Sequence, residues 1–146
     1  MKVTLPVTYV VTTNAFVKKT GELVMGRGAA FQATQRIPNI ATECADAINA
    51  HSKSYGFLPV REATSALAGF GIFQVKLNWW DDADLELIRI SSGILLRAAT
   101  ENPEMKYRLN YPGIGNGNLD QADVEPVIAE LVARPNVTVV YRKGRA

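Results

Sequence analysis

The chain has 146 residues, 47% of them hydrophobic, and a formal net charge of +2, so it is large enough for one compact domain, residues 1–146, and is not a disordered chain. The charge is too small for nucleic-acid binding by bulk electrostatics, and the single cysteine, Cys44, excludes a disulfide framework and a multi-thiolate metal site. No apolar run approaches the length that spans a bilayer, so we expect a cytoplasmic protein without a membrane partner.

The first third of the chain predicts a strand, a loop and two helices. Val7 to Thr13 is rich in valine and threonine, which is typical of a buried strand. After a loop, the composition from Arg27 to Arg36 predicts a helix, which Pro38 interrupts. Apolar residues at helical spacing from Ile40 to Ile48 predict a second helix.

Two further strands are predicted in the middle of the chain, at Phe57 to Arg61 and at Gly71 to Leu77. In the second strand, alternation places Phe73 and Val75 on one face. Lys76 is then expected on the other face, at the end of the strand.

The last part of the chain alternates helices with strands. Three aspartates within residues 81–84 provide negative charge for the N-terminus of a long helix that ends near Pro103. Tyr107 to Asn110 predicts a strand, an apolar stripe from Val124 to Val132 a helix, and Val137 to Tyr141 the last strand. This order favours an α/β fold whose mostly parallel sheet is covered on both faces and binds ligands at the carboxyl ends of its strands.

Two glycine-dense turns precede predicted helices. They are Met25-Gly26-Arg27-Gly28-Ala29-Ala30, called the first glycine loop, and Tyr111-Pro112-Gly113-Ile114-Gly115-Asn116-Gly117, called the second glycine loop. Glycine lets a backbone bring several N–H groups close to an anion, and a following helix adds its positive end. A single turn of this kind is more often a tight connection, but two in one short chain predict two phosphate cradles.

Together with Val11-Thr12-Thr13-Asn14, these loops resemble a macro domain, the ADP-ribose-binding module. The resemblance spans nearly the whole chain and implies a three-layer α/β/α fold with a mixed, mostly parallel central sheet. In that family, a strand-end asparagine lies near the distal ribose, two glycine loops hold the ligand, and an aromatic residue often stacks on adenine. The resemblance thus implies these ligand-binding residues: Asn14, Met25, Gly26, Gly28, Ala29, Gly113, Ile114, Gly115, Asn116, Gly117 and Tyr141.

Within that family, the chain is similar to the branch of the terminal ADP-ribose protein glycohydrolase and the antitoxin that removes ADP-ribose from DNA. Lys76 matches a lysine that ends a central strand in that branch. Asp120 matches an aspartate after the second glycine loop, although one residue more separates the loop from the aspartate here than in the pattern. The resemblance implies that Lys76 is the nucleophile and Asp120 the acid or base in ADP-ribose release. Without it, a solvated lysine and a helix N-cap are the ordinary interpretations.

Two features depart from the family pattern. The chain begins too close to Val7 to include the early strand whose Gly-Asp pair recognises adenine, and the segment from Phe16 to Val24 is longer than usual. The adjacent Trp79 and Trp80 form either a stacking surface or an anchor between helix and core.

Three functions remain open at this point. The first is a hydrolase that releases ADP-ribose from a modified macromolecule or an ADP-ribose derivative, the second a non-catalytic reader or sequestering protein, and the third an ADP-ribose 1″-phosphate phosphatase. The expected partner is ADP-ribose or an ADP-ribosylated protein or nucleic acid. Neither a cofactor nor a metal is expected, because the aspartates at residues 81–84 lack the glycine and terminal glutamate of a calcium loop.

Overall fold

A single five-stranded sheet organises the computed structural model, which describes residues 6–51 and 55–141. The strands are β1 (Val7–Thr13), β2 (Phe57–Arg61), β3 (Gly69–Gln74), β4 (Lys106–Asn110) and β5 (Val137–Val140). Their order in the sheet is β2-β3-β1-β4-β5. β1 runs parallel to β3 and β4, and β4 runs parallel to β5, whereas β2 is antiparallel to β3. The predicted mixed, mostly parallel sheet is confirmed.

Helices cover both faces of the sheet. They are α1 (Gly28–Arg36), α2 (Ile40–Ala50), α3 (Leu85–Glu101), α4 (Gln121–Val124) and α5 (Ala129–Val132). The first two pack on one face and the last three on the other, so that each face has its own hydrophobic core. No helix in residues 6–51 and 55–141 is both long and apolar enough to cross a membrane.

The core between the sheet and α1–α2 contains Ile72 of β3 and the fully buried Cys44 of α2. Burial raises the pKa of the Cys44 thiol to about 12, and the charge of Glu43 contributes in the same direction. A thiol with such a pKa stays protonated and inert, so Cys44 acts as a small hydrophobic residue.

The core on the opposite face contains Phe73 and Val75, as their alternation predicts. Nevertheless, the predicted end of this strand is wrong, because β3 ends at Gln74 and Lys76 lies beyond it. The Val75 carbonyl accepts a hydrogen bond from Asp84 N (2.8 Å), just before α3, rather than from a neighbouring strand. The strand therefore ends where its pairing partner changes from β1 to the start of a helix.

The single helix predicted for Val124 to Val132 is also wrong, since the structure contains α4 and α5 separated by a turn. Pro126 lies in this turn and has no N–H to donate to the preceding helical turn. The apolar stripe still packs inward, because Val124, Ile128 and Leu131 are buried in the same core.

Candidate functional site

The four mutually parallel strands end at the same edge of the sheet. Asn14 follows β1, Lys76 lies two residues beyond β3, Tyr111 follows β4, and Tyr141 follows β5. Ligands of open α/β sheets bind at this edge. The structure therefore brings the strand-end residues predicted from the sequence to one side of the molecule.

Asn14 is buried and its side chain holds the backbone of the segment that follows it. Its Nδ2 donates to Val24 O (2.9 Å), and its Oδ1 accepts from Phe16 N (2.9 Å). Phe16 to Val24 forms a hairpin in which Val17 and Leu23 pair as an antiparallel bridge. Asn14 thus fixes the base of this hairpin, which delivers the chain to the first glycine loop.

The first glycine loop has one buried anchor and an open backbone. Met25 packs in the core beneath α1 and α2. Gly26 and Gly28 are exposed and have φ of +60° and +73°, values that favour glycine. A Cβ on Gly26 would meet nothing within 4 Å. Ala29 follows in the first turn of α1, whose free N–H groups point back toward this loop.

In the second glycine loop, the three glycines have different surroundings. A Cβ on Gly113 would lie 2.7 Å from Ile88 Cδ1, and one on Gly117 would lie 2.9 Å from Ala83 Cβ, so both glycines permit close packing on α3 and the segment before it. Gly115 has φ of +69°, and a Cβ there would meet nothing within 4 Å. Gly115 is therefore the glycine of this loop that faces open space. It starts a single 3-10 turn, Gly115–Gly117, which follows the half-buried Ile114.

The two glycine loops approach each other closely. A Cβ on Gly28 would lie 3.8 Å from Nδ2 of Asn116, which is exposed in the second loop. Residues separated by almost ninety positions are thus neighbours at the carboxyl edge of the sheet. Their backbone N–H groups can serve one elongated anion.

Lys76 is half-buried, and its Nζ donates to the backbone carbonyl of Asp81 at 3.0 Å. The segment that holds this carbonyl is itself tied to the second glycine loop. Ala83 N donates to Gly117 O (2.9 Å), and Asn118 Nδ2 donates to Asp82 Oδ1 (2.8 Å). These hydrogen bonds fix the position of Lys76 relative to the second loop.

Asp120 occupies the N-cap position of α4 and is exposed. Its side chain accepts no hydrogen bond from the first turn of that helix, unlike Asp84, which accepts from Glu86 N (2.9 Å) at the start of α3. Across the part of the chain that the structure describes, no hydrogen bond or ion pair joins Asp120 to Lys76.

No family model and no curated protein sequence matches the chain, but solved structures do. Thermosipho africanus DarTG, solved in complex with ADP-ribose, has a TM-score of 0.75 at 17% identity over 95% of this chain. The macrodomain of Mycobacterium tuberculosis DarG has a TM-score of 0.71 at 24% identity over 96% of this chain, and that of Thermus aquaticus DarG has 0.73 at 21% over 98%. The chain has the macrodomain fold. It spans 39% of the length of the DarTG chain and 90% and 92% of the two DarG macrodomain chains.

These similarities confirm the macrodomain resemblance and the α/β class predicted from the sequence. The roles of individual residues in this chain stay predictions. That includes Tyr141, which is 46% exposed and whose ring meets that of Tyr111 edge to face at 5.6 Å. Burial, and secondarily the charge of Glu125, raises the pKa of Tyr111, so its phenol is neutral at physiological pH.

Three polar residues near the candidate site were not predicted as part of it. Asp82 and Asn118 tie the segment after Lys76 to the second glycine loop. Asn110, the last residue of β4, joins β1 through Thr12: its Oδ1 accepts from Thr12 N (3.0 Å), and its Nδ2 donates to Thr12 Oγ1 (2.8 Å). The one sequence signal is that an asparagine directly follows the glycine run, because asparagine adopts positive φ more readily than most residues and Asn118 has φ of +63°. The partners of all three are distant in sequence.

Proposed function

We propose that this macrodomain binds ADP-ribose between its two glycine loops. The observation that carries the proposal is the close approach of Gly28 and Asn116, which brings two open, N–H-rich turns to the edge where α/β sheets bind ligands. Gly26, Gly28 and Gly115 all leave space that a Cβ would narrow. The similar structure of Thermosipho africanus DarTG, which contains ADP-ribose, supports the same ligand.

We further propose that the protein hydrolyses an ADP-ribosyl linkage. In this reaction, Nζ of neutral Lys76 attacks the anomeric carbon of the distal ribose while the bond to the acceptor breaks. Asp120, as the acid, gives its proton to the leaving acceptor and then, as the base, takes a proton from the attacking water. Water displaces the lysine, so that ADP-ribose is released and Lys76 is regenerated.

The surroundings of Lys76 suit this role. A lysine attacks only when it is deprotonated. The Asp81 carbonyl that accepts from Nζ can accept from an amine as well as from an ammonium group, so it fixes the nitrogen without requiring the charge. In the described ranges, no carboxylate forms an ion pair with Lys76.

A non-catalytic reader is the second candidate function, and the absence of a hydrogen bond or ion pair between Lys76 and Asp120 in the described ranges favours it. A reader needs the glycine loops but no acid and no nucleophile. An ADP-ribose 1″-phosphate phosphatase would also use the same loops. Calorimetric titration with ADP-ribose tests binding, and chromatography after incubation with modified protein, modified DNA and the 1″-phosphate distinguishes the three functions.

Lys76→Ala is the variant that tests the mechanism. We expect at least about a hundredfold loss in the rate of ADP-ribose release, because the nucleophile is removed. We expect ADP-ribose affinity to change only a few fold, because the loops hold the diphosphate. Lys106→Ala is the matched control, since Lys106 is an exposed lysine at the opposite end of a parallel strand.

The possible results separate the proposals. If wild type binds ADP-ribose but releases it from no modified substrate, the reader function replaces the hydrolase. If Lys76→Ala retains full turnover of a substrate that wild type cleaves, the mechanism is wrong although the binding site stands. If wild type does not bind ADP-ribose, both proposals fail.

A further inference from the structure

A segment that we call the connecting segment, residues 77–83, leads from Lys76 toward the start of α3. Its two tryptophans do not fasten it to the protein interior. Trp79 is 53% exposed and Trp80 is 58% exposed, and in the described residues neither belongs to a hydrophobic core. The interpretation of the tryptophans as an anchor between helix and core is therefore wrong. The position of this segment depends instead on its hydrogen bonds.

The end of the connecting segment bonds to the end of the second glycine loop at two successive positions. Ala83 N donates to Gly117 O (2.9 Å), which joins the backbones of two buried residues. On the exposed side, Asn118 Nδ2 donates to Asp82 Oδ1 (2.8 Å). We call this hydrogen bond the brace. Because the brace alone joins two side chains, substitution can remove it while the backbone bond stays in place.

The backbone at Asn118 has the conformation that ends the 3-10 turn of the second loop. Asn118 has φ of +63° and ψ of +18°, and its N donates to Gly115 O at 3.0 Å. Glycine adopts the same left-handed conformation without strain. In Asn118→Gly, the turn can therefore keep its shape and only the brace is lost.

The brace lies between the two proposed catalytic residues. On one side, Asp82 directly follows Asp81, whose carbonyl accepts from Lys76 Nζ at 3.0 Å. On the other side, Asn118 precedes Asp120 by two residues. In the described ranges, no hydrogen bond or ion pair joins Lys76 to Asp120. Their relative position thus depends on the contacts between the segments that carry them, and a misplacement of about 1 Å in a reacting group can cost about a hundredfold in rate.

We propose that Asn118 and Asp82 are positioning residues, which hold the amine of Lys76 and the carboxyl of Asp120 at a fixed separation for ADP-ribose release. As a role in catalysis, this rests on the proposed hydrolase function. The glycine loops bind the diphosphate through backbone N–H groups, and the brace uses none of these. Loss of the brace is therefore expected to lower kcat and to leave ADP-ribose affinity unchanged.

Asn118→Gly and Asp82→Ala each remove the brace from one side. We expect kcat to fall about tenfold in both variants, measured on a modified substrate that wild type cleaves, while calorimetry shows wild-type affinity for ADP-ribose. Asp82→Asn keeps an oxygen that accepts from Asn118 and is expected to retain most of the activity. Unchanged kcat in Asn118→Gly would overturn the proposal. An equal loss in Asp82→Asn and Asp82→Ala would also overturn it, because the charge of Asp82 would then matter and not the bond.

An exchange of the two side chains provides the rescue. Asn118→Asp alone sets one carboxylate against another and is expected to lower kcat at least as much as Asn118→Gly. Adding Asp82→Asn restores an amide donor and a carboxylate acceptor in reversed order, and aspartate tolerates the left-handed conformation. Most of the lost kcat should return in this double variant. A double variant as slow as Asn118→Asp would contradict the brace.

Asn78→Ala is the matched control. Asn78 Nδ2 donates to Asp81 Oδ2 at 3.2 Å, which is a hydrogen bond between the same residue types within the connecting segment. This bond does not reach the second glycine loop, so its loss is expected to leave kcat unchanged. A loss equal to that of Asn118→Gly would mean that any loosening of the segment slows the reaction, and the specific role of the brace would be wrong.

The side-chain NMR resonance of Lys76 reports its placement without turnover. In protein with isotope-labelled lysine, this resonance is assigned by its absence in Lys76→Ala. We expect it to shift in Asn118→Gly and to return toward the wild-type position in the exchanged double variant. If wild type releases ADP-ribose from no substrate, the hydrolase function fails, whereas such a shift still supports placement of the amine by the brace. A resonance that does not move in Asn118→Gly overturns that placement.

Discussion

In the first glycine loop, Gly26 and Gly28 both have positive φ, and a Cβ on either would meet no atom closer than 3.8 Å. In the second loop, Gly115 alone combines positive φ with open space beside it. Gly113 and Gly117 of the second loop instead lie where a Cβ would collide with Ile88 or with Ala83. The first loop is thus built for exposure of its backbone, and the second combines exposure at one glycine with packing at two.

Glycine can therefore be required at a position for either of two reasons, and the sequence alone does not distinguish them. A packing glycine is needed by the fold, and its replacement lowers stability whether or not a ligand exists. An open glycine with positive φ leaves room beside a backbone that presents N–H groups, and its replacement affects a ligand first. Substitutions at matched positions can measure the two effects separately.

The largest expected effect is on stability, from Gly113→Val. The new side chain would enter a space where Cβ alone lies 2.7 Å from Ile88 Cδ1 and 3.1 Å from Leu119 Cδ1, and φ is +84°. We expect a loss of about 2–6 kcal/mol in the free energy of unfolding, from overpacking together with backbone strain. Urea unfolding measures this loss, and an unchanged midpoint would show that the site can expand.

Gly115→Val is expected to act mainly on binding. Its Cβ meets no protein atom, so the cost to stability is the backbone strain of about 1–3 kcal/mol at φ of +69°. We expect ADP-ribose affinity to fall at least about tenfold, because the side chain obstructs the approach of a phosphate to the backbone. Calorimetry measures the affinity, and circular dichroism verifies the fold.

Gly115→Asn is the control for strain, because asparagine tolerates positive φ. This variant should have wild-type stability, and its ADP-ribose affinity should be reduced as in Gly115→Val. Wild-type affinity in both folded variants would remove the second loop from the ligand site.

The smallest expected effect comes from Gly28→Ala in the first loop. The new Cβ would make only an ordinary contact with Asn116 Nδ2 at 3.8 Å. We expect ADP-ribose affinity to fall by no more than about fivefold, equivalent to about 1 kcal/mol. If the loss of affinity comes from the contact between the new Cβ and Asn116, then Asn116→Ala should restore part of the affinity of Gly28→Ala in a double-mutant cycle. A loss as large as that of Gly115→Val would instead mean that the ligand lies directly against Gly28.

The sequence was sufficient for the elements whose patterns are local. Val7–Thr13 and Phe57–Arg61 form strands with the predicted bounds, because β-branched and aromatic residues between turn signals specify a strand without distant information. The division between α4 and α5 could also have been predicted, since Pro126 would fall in the interior of one continuous helix from Gln121 to Val132, where it removes a backbone hydrogen bond. The end of β3 could not, because it depends on a hydrogen bond from Asp84, ten residues further along the chain than Gln74.

By itself, the sequence determined the alternation of strands and helices, the macrodomain resemblance and the presence of two glycine loops, since composition, periodicity and motifs are properties of neighbouring residues. Only the tertiary structure decided which glycines are open, because the atoms that fill the space beside Gly113 and Gly117 come from α3 and the segment before it. The same holds for Trp79 and Trp80, whose sequence fits either a core or a surface. Burial and approach are set by residues far apart in the chain, and a linear pattern contains no measure of that distance.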